Sequence, residues 1–143
     1  MIRKKPPSTV KGVMSKPVIT IEKGRSVREA AELMSEKKVG SIVVIHENKP
    51  VGIVTERDIV ERIVAEDLSA SDMRMNDIMS KSLVTAKGDM SIIEAIRLMQ
   101  RKKIRRLMVI ENKKLKGIVT QRDLLRALAF HVVISFRPLL ELG

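Results

Sequence analysis

The chain has 143 residues, 44% of them apolar, a net charge of +11, and no Cys, Trp or Tyr. A disulfide framework and a thiolate metal site are therefore excluded, and a disordered chain is not expected. No apolar run approaches the roughly 18 residues that a membrane span needs, and the charges of Met1–Pro7 are followed by no apolar segment, as a signal peptide would require.

Residues 1–12, with Lys4-Lys5-Pro6-Pro7, are expected to form a loose N-terminal arm, because Pro blocks regular structure there. An apolar strand is expected at Val18–Ile21. Ser26-Val27-Arg28-Glu29 then reads as a capping box that opens a helix, and Val27, Ala30, Ala31 and Met34 give that helix one apolar face. The run Ser41–Ile45, the polar turn His46–Lys49 and the run Val51–Val54 predict a hairpin. A second helix follows Thr55. The acidic stretch Glu66–Asp77 reads as a linker, with one base against four acids across 65–77.

The same order then returns. A strand is expected at Leu83–Ala86 and a capping box at Ser91-Ile92-Ile93-Glu94, with Ile92, Ala95, Ile96 and Met99 as the apolar face. A hairpin joins Leu107–Ile110 to Lys116–Val119 through Glu111–Lys114, and a helix follows Thr120. The tail Ala127–Gly143 has no counterpart in the first half. Its segment Phe130–Phe136 is the most apolar of the chain, and it either continues the last helix or forms a separate element before Pro138. Exposed apolar surface of this kind seeks a partner, so a homodimer contact is expected.

A shift of 65 positions superposes Met14–Val60 on Met79–Leu125 without a gap, and 20 of the 47 pairs are identical. The densest match sets Gly52-Ile53-Val54-Thr55-Glu56-Arg57-Asp58 against Gly117-Ile118-Val119-Thr120-Gln121-Arg122-Asp123. The chain is thus a duplicated β-α-β-β-α unit of α/β class, divided into an arm (1–12), repeat one (13–64), a linker (65–77), repeat two (78–126) and a tail (127–143). One unit of about 50 residues cannot bury both a helix layer and a sheet. The two are therefore expected to pack sheet to sheet around a pseudo-twofold axis.

No catalytic constellation emerges. Of the two His residues, His46 lies in a predicted turn and His131 in the apolar tail. No His and carboxylate set has metal-ligand spacing, and there is no P-loop and no G-x-G-x-x-G. The repeated G-h-h-T-x-R-D segment carries two compatible readings. Thr55 with Asp58, and Thr120 with Asp123, make T-x-x-D capping boxes. A strand entering a helix N-terminus also offers free N–H groups to a phosphate, beside a fixed Arg charge and an Asp suited to ribose hydroxyls.

Met14, the apolar strand, Ser26-x-x-Glu29-Ala30, Gly40-Ser41-Ile42-Val43-Val44 and Gly52–Asp58, all of it then repeated, resemble the cystathionine-β-synthase-type (CBS) domain family. The resemblance covers about 13–126 and implies a tandem CBS pair of the small stand-alone prokaryotic or archaeal type, a Bateman module. It further implies a non-catalytic sensor without a required cofactor, cytoplasmic and often dimeric, that binds AMP, ADP, ATP or S-adenosylmethionine and signals to a protein effector in trans. Carried over by position, one cleft joins Thr120, Arg122 and Asp123 to Met14, Ile19, Val39 and Gly40. The other joins Thr55, Arg57 and Asp58 to Met79, Val84, Ile104 and Arg105, with Arg106 beside it. Asp would hold the ribose, Thr and Arg the phosphate side, and the apolar residues the adenine faces. The chain departs from the family where Val43 and Met108 stand in place of a frequent Pro, and where Gly40-Ser41 faces Arg105-Arg106 in the other repeat.

Thirteen bases against four acids across 78–126 make the second repeat a basic body. A nucleic-acid-binding protein is the rival reading. It lacks the aromatic side chains that stack on single strands and any recognisable reading module. A solvated surface of a heat-adapted protein would carry the same charge.

Overall fold

A computed structural model describes residues 6–140, the last four of them by backbone alone. Met1–Lys5, and with them most of the segment read above for a signal peptide, lie outside the described residues, as does the end of the tail. The elements in chain order are α1 (Val10–Val13), β1 (Thr20–Glu22), α2 (Val27–Lys37), β2 (Ser41–His46), β3 (Lys49–Thr55), α3 (Glu56–Ile59), α4 (Met75–Ile78), β4 (Thr85–Ala86), α5 (Ile92–Lys102), β5 (Arg106–Glu111), β6 (Lys114–Thr120) and α6 (Gln121–Leu140). A wider π-type turn, Val60–Val64, continues α3.

The chain divides into two compact units, Val18–Leu83 on one side, and everything from Val84 onward with the segment up to Pro17 on the other. Each holds a three-stranded sheet, β1-β2-β3 or β4-β5-β6. The first strand runs parallel to the second, and the second and third form an antiparallel hairpin. The order β-α-β-β-α holds in both units, so the duplicated α/β reading stands.

The local devices explain the elements. Ser26 Oγ accepts the Glu29 N–H at 3.1 Å, and Ser91 Oγ accepts the Glu94 N–H at 3.1 Å. Each satisfies one orphan donor of a helix start. Both helices stop at a lysine in the left-handed region, Lys38 (φ 56°) and Lys103 (φ 55°). That residue turns the chain so that the Val39 and Ile104 N–H groups reach back to the Met34 and Met99 carbonyls. The hairpin turns are tighter than the four-residue turns expected from polarity. Only Glu47-Asn48 and Asn112-Lys113 lie between the strands, all four with φ between 50° and 64°. Two successive left-handed residues match the twist of the flanking strands, and Asn tolerates that conformation best.

Two boundaries differ from the sequence reading. The first is the arm. Val10 is fully buried, its N–H donates to the Met90 carbonyl, and Thr9 bridges Ser91. Residues from Ser8 onward therefore pack on α5 and β6 rather than standing loose; the Pro pair ends before them. The second is the linker. Its last residues fold into α4, with Met75 and Ile78 in the core and the Met75 N–H donating to the Arg25 carbonyl.

These two segments fill equivalent places. The strand-like residue Ser15 bridges Ile118 of β6, and Ser80 bridges Ile53 of β3. Each sheet is therefore finished by the opening residues of the other repeat, ahead of its first strand. The predicted helix faces are inside: Val27, Ala30 and Met34 in one core, and Ile92, Ala95 and Met99 in the other. The tail question resolves to one helix, since α6 runs without a break through Phe130–Phe136 to Leu140.

Candidate functional site

Within the unit Val18–Leu83, β3 delivers Thr55 to the start of α3. The Thr55 hydroxyl accepts the Asp58 N–H at 3.2 Å, and Asp58 Oδ2 accepts the Thr55 N–H at 2.8 Å and its hydroxyl proton at 3.1 Å. Within the other unit, β6 delivers Thr120 to α6. The Thr120 hydroxyl accepts the Asp123 N–H at 3.1 Å, and Asp123 Oδ2 accepts the Thr120 N–H at 3.2 Å. Both capping boxes are therefore formed, and both use the same carboxylate oxygen.

The other oxygen of each Asp is the chemically informative atom. Asp58 Oδ1 has only the Arg62 guanidinium at 3.9 Å, and among the described residues Asp123 Oδ1 has no hydrogen bond or ion pair. Thr55, Thr120, Asp58 and Asp123 are half-buried, so each box combines a polar, partly sheltered carboxylate with an oxygen that makes no hydrogen bond among the described residues.

Each box is joined to the loop before its own hairpin. The Glu56 N–H donates to the Gly40 carbonyl at 3.0 Å, and the Gln121 N–H donates to the Arg105 carbonyl at 2.8 Å. Val39 and Gly40 thus sit beside Thr55–Asp58, and Ile104 and Arg105 beside Thr120–Asp123. Arg106 stands opposite Thr120 across β5 and β6, and its Nε is a buried donor without a protein partner among the described residues. Ile19 and Val84 are half-buried next to their sheets, and each carbonyl accepts from the second strand, at Val43 and Met108. In the unit Val18–Leu83, Val39 also lines a groove of about 500 Å³ with Ala31, Met34, Ser35, Ile59 and Val60, and with Lys38 and Glu56.

The two boxes differ in charge. Arg57 is committed to Glu61, one turn on, at 2.7 Å; that hydrogen bond raises its pKa above the ordinary guanidinium value. Arg122 has Arg126 at the same spacing, and it shows no ion pair among the described residues. Residue 56 is a glutamate where residue 121 is an amide. The Thr120 box therefore stands in the more positive field.

The resemblance set Met14 with Thr120–Asp123 and Met79 with Thr55–Asp58; the contact it did not name is that of each Met with the Gly before the box. Gly52 and Gly117 are buried in β3 and β6. A Cβ on Gly52 would lie 2.5 Å from Met79 Sδ, and one on Gly117 would lie 2.5 Å from Met14 Sδ. Met79 is 8% exposed. The thioether lies flat on the glycine three residues before the box threonine, which fixes Met14 and Met79 next to the motif. His46, expected in the turn, is instead the half-buried last residue of β2, paired with Lys49 and 3.7 Å from the Glu47 carboxylate, and His131 is half-buried with Nε2 2.6 Å from the Pro7 carbonyl.

A model of the CBS domain family matches residues 10–65 and 75–130. The chain belongs to the CBS-domain family. Its CBS pair is 35% identical over 117 residues to the CBS domain-containing protein YhcV of Bacillus subtilis, covering 82% of this chain and 83% of that protein. It is 40% identical over 116 residues to an uncharacterized Methanopyrus kandleri protein, MK0525, covering 80% of this chain and 59% of that protein. The pair therefore spans rather more than half of that relative's length. Among solved structures, the CBS domain pair of protein MJ0100, in complex with 5′-methylthioadenosine and S-adenosyl-L-methionine, superposes with a TM-score of 0.76 at 27% identity, over 87% of this chain and 99% of that one. No helix among the described residues is long and apolar enough to cross a membrane, and no group of three or more His, Cys, Asp or Glu among them is placed to hold a metal ion.

Proposed function

We propose that this CBS pair is a non-catalytic sensor that binds an adenosine-containing ligand, AMP, ADP, ATP or S-adenosylmethionine, and passes its state to a protein effector in trans. Asp58 and Asp123 hold ribose hydroxyls. Thr55 and Thr120, with Arg122 above all and Arg105 and Arg106 near it, serve the phosphate side. The apolar side chains of Met14, Ile19, Val39, Met79, Val84 and Ile104 serve the adenine. The observation that carries this reading is that each capping box hydrogen-bonds through one carboxylate oxygen and leaves the other without a hydrogen bond among the described residues, Asp58 Oδ1 with only the Arg62 ion pair at 3.9 Å, so that capping and ribose binding do not compete for the same lone pairs. The adenosine compounds held by the MJ0100 pair give the ligand class its support.

The test separates the capping role from the ribose role. Asp58 and Asp123 are each replaced by Asn and by Ala, and binding of AMP, ATP and S-adenosylmethionine is followed by calorimetry. Ribose-binding carboxylates predict a loss of ~1.5–3 kcal/mol, more than tenfold, in protein that still folds, with one class of sites lost per single variant. Ala variants that melt earlier yet bind with unchanged affinity and stoichiometry would leave the motif as a helix cap only. Tight RNA or DNA binding that persists at high salt, without adenosine-ligand binding, would favour the nucleic-acid reading instead.

A further inference from the structure

We propose that Glu56 and Gln121, the residues that follow the two box threonines, decide the charge of the ligand at each box. The Thr120 box then takes an adenosine compound with a phosphate chain, ADP or ATP. The Thr55 box takes one with a positive group and no phosphate, S-adenosylmethionine. This division of labour rests on the adenosine-ligand reading. Glu56 and Gln121 are equivalent in the repeat, as are Gly40 and Arg105. In each unit the two positions touch, because the Glu56 N–H is bonded to the Gly40 carbonyl and the Gln121 N–H to the Arg105 carbonyl. Loop and helix start therefore change charge together: glycine and carboxylate in one unit, guanidinium and amide in the other.

At the Thr55 box, the Glu56 carboxylate lies over Gly40. A Cβ on Gly40 would stand 3.6 Å from Glu56 Cδ and 3.7 and 3.8 Å from its two oxygens. Lys38 lines the same groove, yet among the described residues the Glu56 carboxylate makes no hydrogen bond or ion pair. Arg57, the nearest base in sequence, is taken by Glu61. A ligand here meets an uncompensated carboxylate. That repels a phosphate, which carries about −1.5 to −2 charges at neutral pH, and attracts a sulfonium or ammonium group.

At the Thr120 box the signs are reversed. Arg106 stands opposite Thr120 in the ladder, and its buried Nε has no protein partner among the described residues; the residue opposite Thr55 is the uncharged Ser41. A buried guanidinium N–H calls for an acceptor, and phosphate oxygens are strong ones. The contrast extends beyond single residues. Positions 36–41 and 56–62 hold four bases and four acids, whereas the equivalent 101–106 and 121–127 hold seven bases and one acid. Helix capping does not require this difference, since both boxes cap through Thr and Asp alone. A glutamate in a first helical turn suits the helix dipole, which accounts for Glu56 but not for Arg105 or the seven bases.

Calorimetry on the full chain uses ATP and S-adenosylmethionine, each alone and each in the presence of saturating amounts of the other. One site per chain is expected for each ligand, without competition. One unit charge about 4 Å from a ligand charge in watery surroundings changes affinity roughly fivefold. Gln121→Glu should therefore weaken ATP at least about fivefold, and Glu56→Gln should weaken S-adenosylmethionine to the same degree, with the other ligand held within about twofold. Both exchanges keep the side-chain shape, so circular dichroism should be retained. Gly40→Arg with Glu56→Gln should create a second ATP site; Gly40 has no positive φ and only ordinary contacts around its Cβ position, so arginine is accommodated. Rising ionic strength should shrink the preference for ATP at the Thr120 box. Competition of the two ligands for the same sites, or affinities that neither exchange moves, overturns the division and leaves the adenosine-ligand reading standing. Binding of neither ligand overturns that reading and the division with it.

Discussion

Gly52→Ala and Gly117→Ala test how tightly each methionine is seated on its strand. Neither glycine has a positive φ, so alanine meets no backbone obstacle; the obstacle is space. The added methyl on Gly52 would meet Met79 Sδ at 2.5 Å, Cγ at 2.7 Å and Cβ at 2.9 Å. A long side chain can swing its sulfur away, but Cβ moves only with the backbone. That backbone is held on both sides, by the Met79 N–H on the Met75 carbonyl and by the paired Ser80 and Ile53 bonds of 2.9 and 3.0 Å. Met14 is held the same way, by the Val10 carbonyl and by the Ser15 and Ile118 pair. Overpacking of this kind costs ~1–3 kcal/mol, against ~0.4–1 kcal/mol gained by stiffening the unfolded chain. The net expectation is a loss of ~1–2 kcal/mol for either variant, read by urea denaturation followed by circular dichroism. In a Met79→Gly background, which removes Cβ as well as the sulfur and is itself at least ~2–5 kcal/mol less stable, Gly52→Ala should become neutral or slightly stabilising. The coupling between the two substitutions is then at least ~1 kcal/mol. A Gly52→Ala cost that is the same with and without Met79, or no cost at all, would refute the argument from space.

Three further outcomes follow from the geometry. Val10→Ala should cost ~1–3 kcal/mol in denaturation, because Val10 is fully buried; a loose arm would give a change within about 0.5 kcal/mol. Asp58→Ala should destabilise more than Asp123→Ala, within the ~0.5–2 kcal/mol range of caps, because the Asp58 carboxylate makes two bonds where Asp123 makes one; equal thermal shifts would contradict this. Arg122→Ala should weaken AMP binding in calorimetry by more than Arg57→Ala, whose side chain is already paired with Glu61, and a larger loss in Arg57→Ala would reverse the assignment of the more positive site.

The elements that local chemistry decides were legible in the sequence. Ser26, Ser91, Thr55 and Thr120 are caps whose partner lies three residues on, so their meaning sits within one helical turn. The helix faces are legible for the same reason, since Val27, Ala30 and Met34 repeat at the helical period. What escaped were contacts at long separation. Val10 reads as a lone apolar residue after a Pro pair, and only the β-bridge of Thr9 with Ser91 shows why it is inside. α6 was undecided in the sequence because Pro138 argues for a stop and the apolar run Phe130–Phe136 argues for continuation.

The methionine and glycine pairs show what a gapless internal repeat leaves open. Met14 and Met79 are equivalent, as are Gly52 and Gly117, so the repeat alone does not say which methionine meets which glycine; it is the family resemblance that sets Met14 with Thr120–Asp123 and Met79 with Thr55–Asp58. The structure couples Met14 to Gly117, and Met79 to Gly52. The reason is that each sheet is completed by the opening residues of the other repeat, ahead of its first strand. A duplicated sequence folded this way has no independent half. Removing residues 1–17 exposes the sheet of repeat two, and removing 65–83 exposes the sheet of repeat one. The segment that seats each methionine is followed in sequence by β1 or β4, Met14 lying five residues before Ile19 and Met79 five residues before Val84, so neither methionine can be cut from its glycine without cutting the approach to a strand.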